Sequence, residues 1–314
     1  LEDLDDWQKP EFRSIDALSL RQYLTLRGAS PEALRLMDVS VAARDLDDAN
    51  ALDFLRKTHY YFWEAKKGPY HLVKGGTSAL TDAMAASLKT PVLVGKIVSA
   101  IDAGPETVTV TCRDGSFYRA RACIATLPLS VMKDIPVRGA VPPQQRLAWR
   151  QQRYNHLVQI FLRARSPFWE KDGLPASIWT DGPFEMIAHA PSTMDPDGVF
   201  LSYVNGRGAD LLGRLPADQL SRTFTSAYSR LRPAAAGQIE VSYIHNWSTY
   251  PFAKGHVAYF APGDIARFGD IAGQPVGALY FAGEHLCRVH AGIEGACETA
   301  ENAAIQVLDA LGKG

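Results

Sequence analysis

Cysteine is scarce. Cys112, Cys123, Cys287 and Cys297 are the only four, and none forms a C-x-x-C pair. That excludes a disulfide framework and gives no zinc-type spacing, so they read as buried free thiols and no metal is expected. No apolar run reaches ~18 residues, which excludes a transmembrane segment of the ordinary kind. An excess of one charge is also missing. The net charge is −1 and acids and bases are mixed along the chain, so no basic stripe offers itself to nucleic acid. The opening LEDLDDWQKPEF is acidic and polar, unlike a signal peptide. A soluble, cytoplasmic chain is the expectation, with an export signal upstream of Leu1 as the alternative. The chain has no repeat, and it lacks G-x-G-x-x-G, the strand-to-helix turn that cradles a pyrophosphate. The nearest stretch is NGRGADL, Asn205–Leu211, where Leu211 stands in place of the third glycine.

What is present suffices for two domains: 314 residues, 46% of them hydrophobic. Residues 14–66 read as helical. SIDALSLRQYLTLRG has Ser14 as a cap and Gly28 as a stop, and SPEALRLMDVSVAA opens with Ser30 and Pro31. The aromatic ANALDFLRKTHYYFWEA is a third amphipathic helix. HLVKGGTSALTDAMAASL then reads as a short strand, a Gly pair and a helix from Thr77 or Ser78. TVTVTCRDGSFYRARACIAT is a β-hairpin about Asp114-Gly115 that runs into a buried strand. Residues 136–148 are a Pro-rich crossing. HLVQIFLRA, ASIWT, FEMIAHA, VFLSYVNG and QIEVSYIHNW are strands of a second sheet, with ADQLSRTFTSAYSRL as its helix.

The stretch from Ala278, ALYFAGEHLCRVHAGIEGACETAENAA, returns to the first style. ALYFAG is apolar throughout, as a strand buried on both faces requires. Gly283 permits close backbone approach, and Glu284 places a carboxylate at the strand's C-terminal end, where open α/β sheets bind ligands. Ile293, Ala296, Cys297, Ala300, Ala304, Val307, Leu308 and Leu311 form one apolar stripe of the following helix. Gly292 and Gly295 lie in its first turn, so N–H groups and the helix dipole are open to an anion. A plain βα unit with a capping glutamate is the structural alternative.

FAGE followed by AGIEGA on a helix resembles the C-terminal flavin motif of flavin-containing amine oxidases, the branch of monoamine, polyamine and L-amino-acid oxidases. The resemblance runs along essentially the whole chain. HLVKGGTSALTDAMAASL is similar to the family's Gly-Gly segment, and IVSAI to the strand whose valine, here Val98, meets the adenine. ACIATLPLSVM resembles the crossing strand, Ser166–Trp169 the start of the substrate sheet, and NWSTYPFAKGHVAYFAPG the tryptophan segment at the flavin face. The resemblance implies FAD held noncovalently and a substrate C–N bond oxidised by hydride transfer to flavin N5. The imine is then hydrolysed, with oxygen or another acceptor reoxidising the flavin. By position, Val98, Gly283, Glu284, Ala291, Gly292, Ile293, Glu294, Gly295 and Ala296 would bind FAD, and Trp247 would pack near its ring.

The chain departs from that family in several places. The N-terminal dinucleotide-binding section is lacking, so a second chain carrying G-x-G-x-x-G is a possible partner. Gln159 stands where the family's lysine holds a water near N5. The aromatic walls become His256 and Gly292, and Gly255 occupies the position of the covalent cysteine. His256 and His290 are candidates for a base or a substrate contact, and His285 belongs to the flavin loop. The expected fold is α/β with two domains, a partial, discontinuous Rossmann-like FAD domain (67–148 and 250–314) interleaved with a mixed-sheet-plus-helices substrate domain (1–66 and 149–249). Trp247, Gln159 and His256 are the catalytic candidates, acting on an amine or L-amino acid. Alternatives are a protoporphyrinogen-oxidase or desaturase-like enzyme with a bulky hydrophobic substrate, which Gly292 accommodates, or a noncatalytic subunit or fragment.

Overall fold

The computed structural model describes Trp7 and residues 9–68, 73–190, 199–288 and 292–313. Its first helices are α1 (Arg13–Asp16), α2 (Leu20–Leu26), α3 (Pro31–Asp38) and α4 (Ala51–Ala65). Ser14 is not the cap expected of it. The cap of α2 is Ser19, whose hydroxyl takes the Gln22 N–H at 3.2 Å while the Gln22 side chain takes the Ser19 N–H at 2.9 Å. This reciprocal box satisfies two orphan donors, which a lone serine cannot do. Ser30 caps α3 as expected, with Pro31 in its first turn.

Asn50 ties these helices to a distant segment. Its Oδ1 accepts from the N–H groups of Leu52 (2.8 Å) and Asp53 (3.0 Å), capping α4. Its amide donates to the Asp16 carbonyl (2.9 Å), Asp16 Oδ1 (2.6 Å) and the Ala261 carbonyl (3.0 Å). Around this knot Leu20, Leu34 and Leu46 pack with Tyr259, and Trp7 and Leu52 with Ile265.

The next helix, α5 (Ser78–Ser87), begins where the sequence places it. His71 and Leu72 of the strand expected before it lie outside the described residues. The hairpin is β2 (Val108–Cys112) and β3 (Phe117–Ala120), beside β1 (Val98–Ala103). The strand β4 (Cys123–Ala125) leaves this sheet. A short α6 (Leu129–Met132) follows, and β5 (Val137–Arg138) completes the four-stranded order β3-β2-β1-β5. The Pro-rich crossing becomes a helix, α7 (Pro143–Gln151), because Pro143 at its first turn needs no N–H partner.

Beyond β6 (Arg153–Tyr154) come β7 (Leu157–Ala164), α8 (Phe168–Asp172), β8 (Ile178–Trp179), β9 (Met186–Ala190) and β10 (Val199–Asn205). The helices α9 (Gly206–Leu212) and α10 (Ala217–Leu231) lead to β11 (Ile239–Asn246). The sheet order is β11-β7-β10-β9-β8, antiparallel throughout. Period-two alternation is visible in β7 and β10. Val158, Ile160, Leu162, Phe200 and Val204 are buried with Phe224 and Tyr228 of α10, while Gln159, Phe161, Leu201 and Tyr203 occupy the other, half-buried face. NGRGADL is a turn into α9, not a nucleotide loop. Gly206, at φ +44°, lies against the carbonyls of Ala43 and Arg44, where any Cβ would collide.

The chain returns through β12 (Ala258–Tyr259), paired with β6, and α11 (Asp264–Phe268) to β13 (Leu279–Phe281) and α12 (Gly292–Ala310). All three residues of β13 are buried, and it pairs in parallel with β4 alone. Leu279 and Phe281 join Ile101, Val108, Leu129, Val137 and Trp149 in one core. The stripe expected to bury α12 does not do so. Ile293, Cys297, Ala300, Ala304 and Leu308 are exposed, and the buried positions are Gly295 and Ala303. The helix meets β13 with its small residues, so the apolar stripe faces outward. All of α5 is at most half-buried, and Val92, Leu93 and Val94 are exposed as well.

Replacing Asn50 with Ala removes the α4 cap and strands buried carbonyls. We expect a loss of about 3 kcal/mol of stability, measured by urea denaturation.

Candidate functional site

Just past β13, the Ala282 N–H donates to the Ala125 carbonyl at 3.1 Å. The chain then turns sharply. Gly283 has φ +147°, and a Cβ there would run into the His285 ring, so glycine is required. Thr299 Oγ1 on α12 takes the Gly283 N–H at 2.9 Å and pins the turn to the helix. The turn puts the Glu284 carboxylate beneath β12, where Oε1 accepts the Ala258 N–H at 3.0 Å. Burial raises the Glu284 pKa, and the Ala258 N–H and Lys57 act against that rise.

Glu284 borders a cleft of about 290 Å³. Its walls include Thr126 and Pro128 after β4, Tyr154 of β6, Gly255 and His256 before β12, and Gly283, His285 and Ala296. Tyr154 is fixed by its hydroxyl, which accepts the Leu129 N–H at 2.9 Å, and burial raises its pKa. Burial lowers the His256 pKa and takes that of His285 down to about 4, so both rings are neutral near pH 7. The cleft therefore combines one half-buried carboxylate with neutral rings and small residues. It has the size of one ring system.

The positions named from sequence separate into groups. Gly283, Glu284, Ala296 and His256 meet in the cleft. Gln159 and Trp247 meet elsewhere, on the half-buried face of the second sheet, where the indole N–H donates to Gln159 Oε1 at 2.7 Å. Trp247 is linked to the cleft through its backbone, its carbonyl accepting the Gly255 N–H at 3.1 Å. Val98 opens β1, and the cleft lining does not include it. Gly292, Ile293, Glu294 and Gly295 form the first turn of α12, and only Gly295 is buried. His290 and Ala291 lie outside the described residues.

Sequence reading missed the groups behind Glu284. Lys57 Nζ donates to the Ala258 carbonyl at 3.0 Å and to Asp53 Oδ2 at 2.8 Å. Arg56 donates to Asp53 Oδ1 at 2.9 Å and to the Arg288 carbonyl at 3.2 Å. An ionic D-x-x-R-K run inside an amphipathic helix was the available signal, and it reads equally well as a solvated face. Tyr154 carried no signal at all.

No cluster able to hold a metal occurs among the described residues, and none of their helices is long and apolar enough to cross a membrane. A half-buried carboxylate after a strand's C-terminal end, a glycine turn and a helix N-terminus beside a ring-sized cleft together fit one end of a flavin. Comparison with known proteins agrees. The family model described as flavin containing amine oxidoreductase matches residues 11–308. A flavin-containing amine oxidase of Danio rerio is 25% identical over 98% of this chain and 62% of its own length. A flavin-dependent L-tryptophan oxidase of Lentzea aerocolonigenes is 29% identical over 76% of this chain and 52% of its own length. The chain thus spans about half to three-fifths of these relatives. Among solved structures, a cyclohexylamine oxidase from Brevibacterium oxydans superposes with a TM-score of 0.82 at 20% identity, covering 99% of this chain and 74% of that one. A redesigned putrescine oxidase gives 0.84 at 20% identity, covering 98% and 73%. These similarities show the two-domain α/β fold.

His285 yields a pH test. Its folded pKa of about 4 lies below the ordinary 6.5, so the unfolded chain takes the proton first. Stability from this group is full above pH 6.5 and falls as the pH drops towards 4, by about 3 kcal/mol. Glu284, shifted upward, acts in the opposite sense. Urea denaturation of wild type against His285→Asn isolates the histidine: the variant should lose less stability over that window.

Proposed function

Since the chain belongs to the flavin-containing amine oxidoreductases, we propose that it forms the substrate sheet and the C-terminal cofactor segment of an FAD-dependent enzyme. The reaction is oxidation of the C–N bond of a small amine or L-amino acid, with hydrolysis of the resulting imine. The observation that carries this reading is the Glu284 carboxylate, half-buried just past the end of β13 and bordering the cleft with Tyr154 and His256. When bound, FAD supplies the two-electron acceptor for the hydride that leaves the carbon bearing nitrogen.

The chain's own residues divide the remaining work. Glu284 and Gly283 hold the cofactor, with Gly292, Ile293, Glu294, Gly295 and Ala296 of α12 adding N–H groups and dipole to bind anionic atoms. Ala291 and Val98 are assigned to the cofactor by resemblance alone. Gln159 keeps its amide NH2 available while its oxygen holds the Trp247 indole, so it positions a water or substrate without bringing a charge. This uncharged group leaves oxygen or another molecule as the acceptor. His256 is an exposed residue whose ring is partly desolvated by the cleft wall, which lowers its pKa; the neutral ring is suited to accept a proton. Gly255 supports a noncovalent mode: a Cβ there would lie 2.5 Å from the Tyr154 Cβ, so that wall has no room for a cysteine.

Residues 67–148 with 250–314 make the cofactor domain in this reading, and 1–66 with 149–249 the substrate domain. The two strands β4 and β13, the outward stripe of α12 and the uncovered α5 call for another apolar layer. More of the same chain, or a partner chain, supplies that layer together with the dinucleotide cradle. Gly292 favours a second reading. It has open space where a side chain would stand, which admits a bulky hydrophobic substrate undergoing desaturation.

The test uses the flavin-loaded assembly under anaerobic conditions. Primary amines, secondary amines and L-amino acids are mixed with it, and flavin absorbance is followed together with ammonia or amine release. Bleaching with release of the nitrogen product is expected for one of these classes. Bleaching only by a bulky hydrophobic compound, without ammonia, moves the assignment to the desaturase-like reading. No bleaching by any compound contradicts both.

A further inference from the structure

Helix α4 carries three ionisable side chains that an amphipathic helix would ordinarily leave in water. Asp53 and Arg56 are 3% and 5% exposed. Lys57 is mostly covered, with 20% of its side chain accessible. Each polar end but one is used. Asp53 takes Arg56 on one oxygen and Lys57 on the other. Burial works against its ionised form, but the two cations outweigh that and hold its carboxyl below the usual range. Arg56 also lies over the Trp7 ring at 4.8 Å, and its buried Nε–H has no partner among the described residues.

Two cations share one carboxylate, so the helix buries one positive charge in excess. The compensating charge is Glu284. The link is Ala258, whose carbonyl takes Lys57 at 3.0 Å and whose N–H goes to Glu284 at 3.0 Å. The second contact is Arg56 to the Arg288 carbonyl, four residues past Glu284 in the same loop. Buried Asp53 and Arg56 and half-buried Lys57 and Glu284 thus form a linked set of two positive and two negative groups. A buried ion is tolerated only when compensated: Asp53 has two cations in direct contact, and Glu284 has the Ala258 N–H with the charge of Lys57 behind it.

We propose that Lys57 and Arg56, themselves held by Asp53, are positioning residues for Glu284: the two cations favour its ionised form inside the fold and fix the loop from Glu284 to Arg288 on α4. An ionised carboxylate only accepts hydrogen bonds. The cleft therefore selects a ligand that brings hydroxyl or N–H donors to Glu284, such as a polyol chain. Only that ligand identity rests on the flavin reading. The remaining titratable groups around Glu284 are Tyr154 of β6, His256 of the cleft wall and His285 of its own turn. The two rings are neutral above pH 6.5, so the charge that compensates Glu284 comes from α4.

The test reads the protein alone. The full chain is labelled with 13C at glutamate Cδ, Glu284 is assigned with Glu284→Gln, and its titration is followed by NMR. Lys57→Met should move the Glu284 midpoint upward, and Lys57→Arg should restore it. Asp53→Asn, which removes the neighbouring negative charge, should move it downward; Lys57→Met keeps the test decisive if that variant does not fold. Arg56→Gln should speed amide exchange in residues 284–288. An unchanged Glu284 midpoint in folded Lys57→Met overturns the proposal. A midpoint that moves here, while the completed assembly takes up no FAD, supports the positioning role and removes the flavin reading instead. FAD uptake with an unmoved midpoint does the reverse.

Discussion

A carboxylate taken out of water must be matched or lose its charge, and the architecture around Glu284 follows from that constraint. The match passes through one residue, Ala258, which receives Lys57 on its carbonyl and gives its N–H to Glu284. Helix α4 from the first part of the chain, β12 from the return segment and the β13 turn must therefore be in register with one another. Asn50 enforces that register from the other end of the same region, by capping α4 while binding the Ala261 carbonyl three residues past Ala258. The site is thus held by contacts between segments some two hundred residues apart.

Strands β6 and β12 pair with each other, and Tyr154 of β6, held by the Leu129 N–H, lines the cleft. The second sheet's buried face packs on α10, and its open face carries Gln159, Phe161 and Tyr203. The uncovered apolar faces of α5 and α12 are of the kind that another layer normally covers.

Much of this was legible in the sequence. The five strands of the second sheet and the helix Ala217–Leu231 were, because alternation and helical periodicity carry the burial directly. The Gly283–Glu284 turn was legible because glycine and a lone carboxylate after an apolar strand have few other uses. The α12 stripe misled: its periodicity marks a face that packs on something, and the partner is not among the described residues. Asp53, Arg56 and Lys57 were visible only as an ionic run that a solvated helix face explains equally well. Their roles depend on what a strand two hundred residues away presents, and no local pattern encodes that. The same is true of Ser19, where a box of two side chains decided what single-residue preference could not.

The central claim is that this chain, completed by a further layer, holds one noncovalent FAD at Glu284. Native mass spectrometry of the assembly isolated from its source tests it most directly. The account predicts a complex, or a longer chain, carrying one FAD that is released on denaturation, and loss of that mass in Glu284→Gln. A stable assembly without FAD, or one whose flavin is retained unchanged in the Glu284→Gln variant, would contradict it.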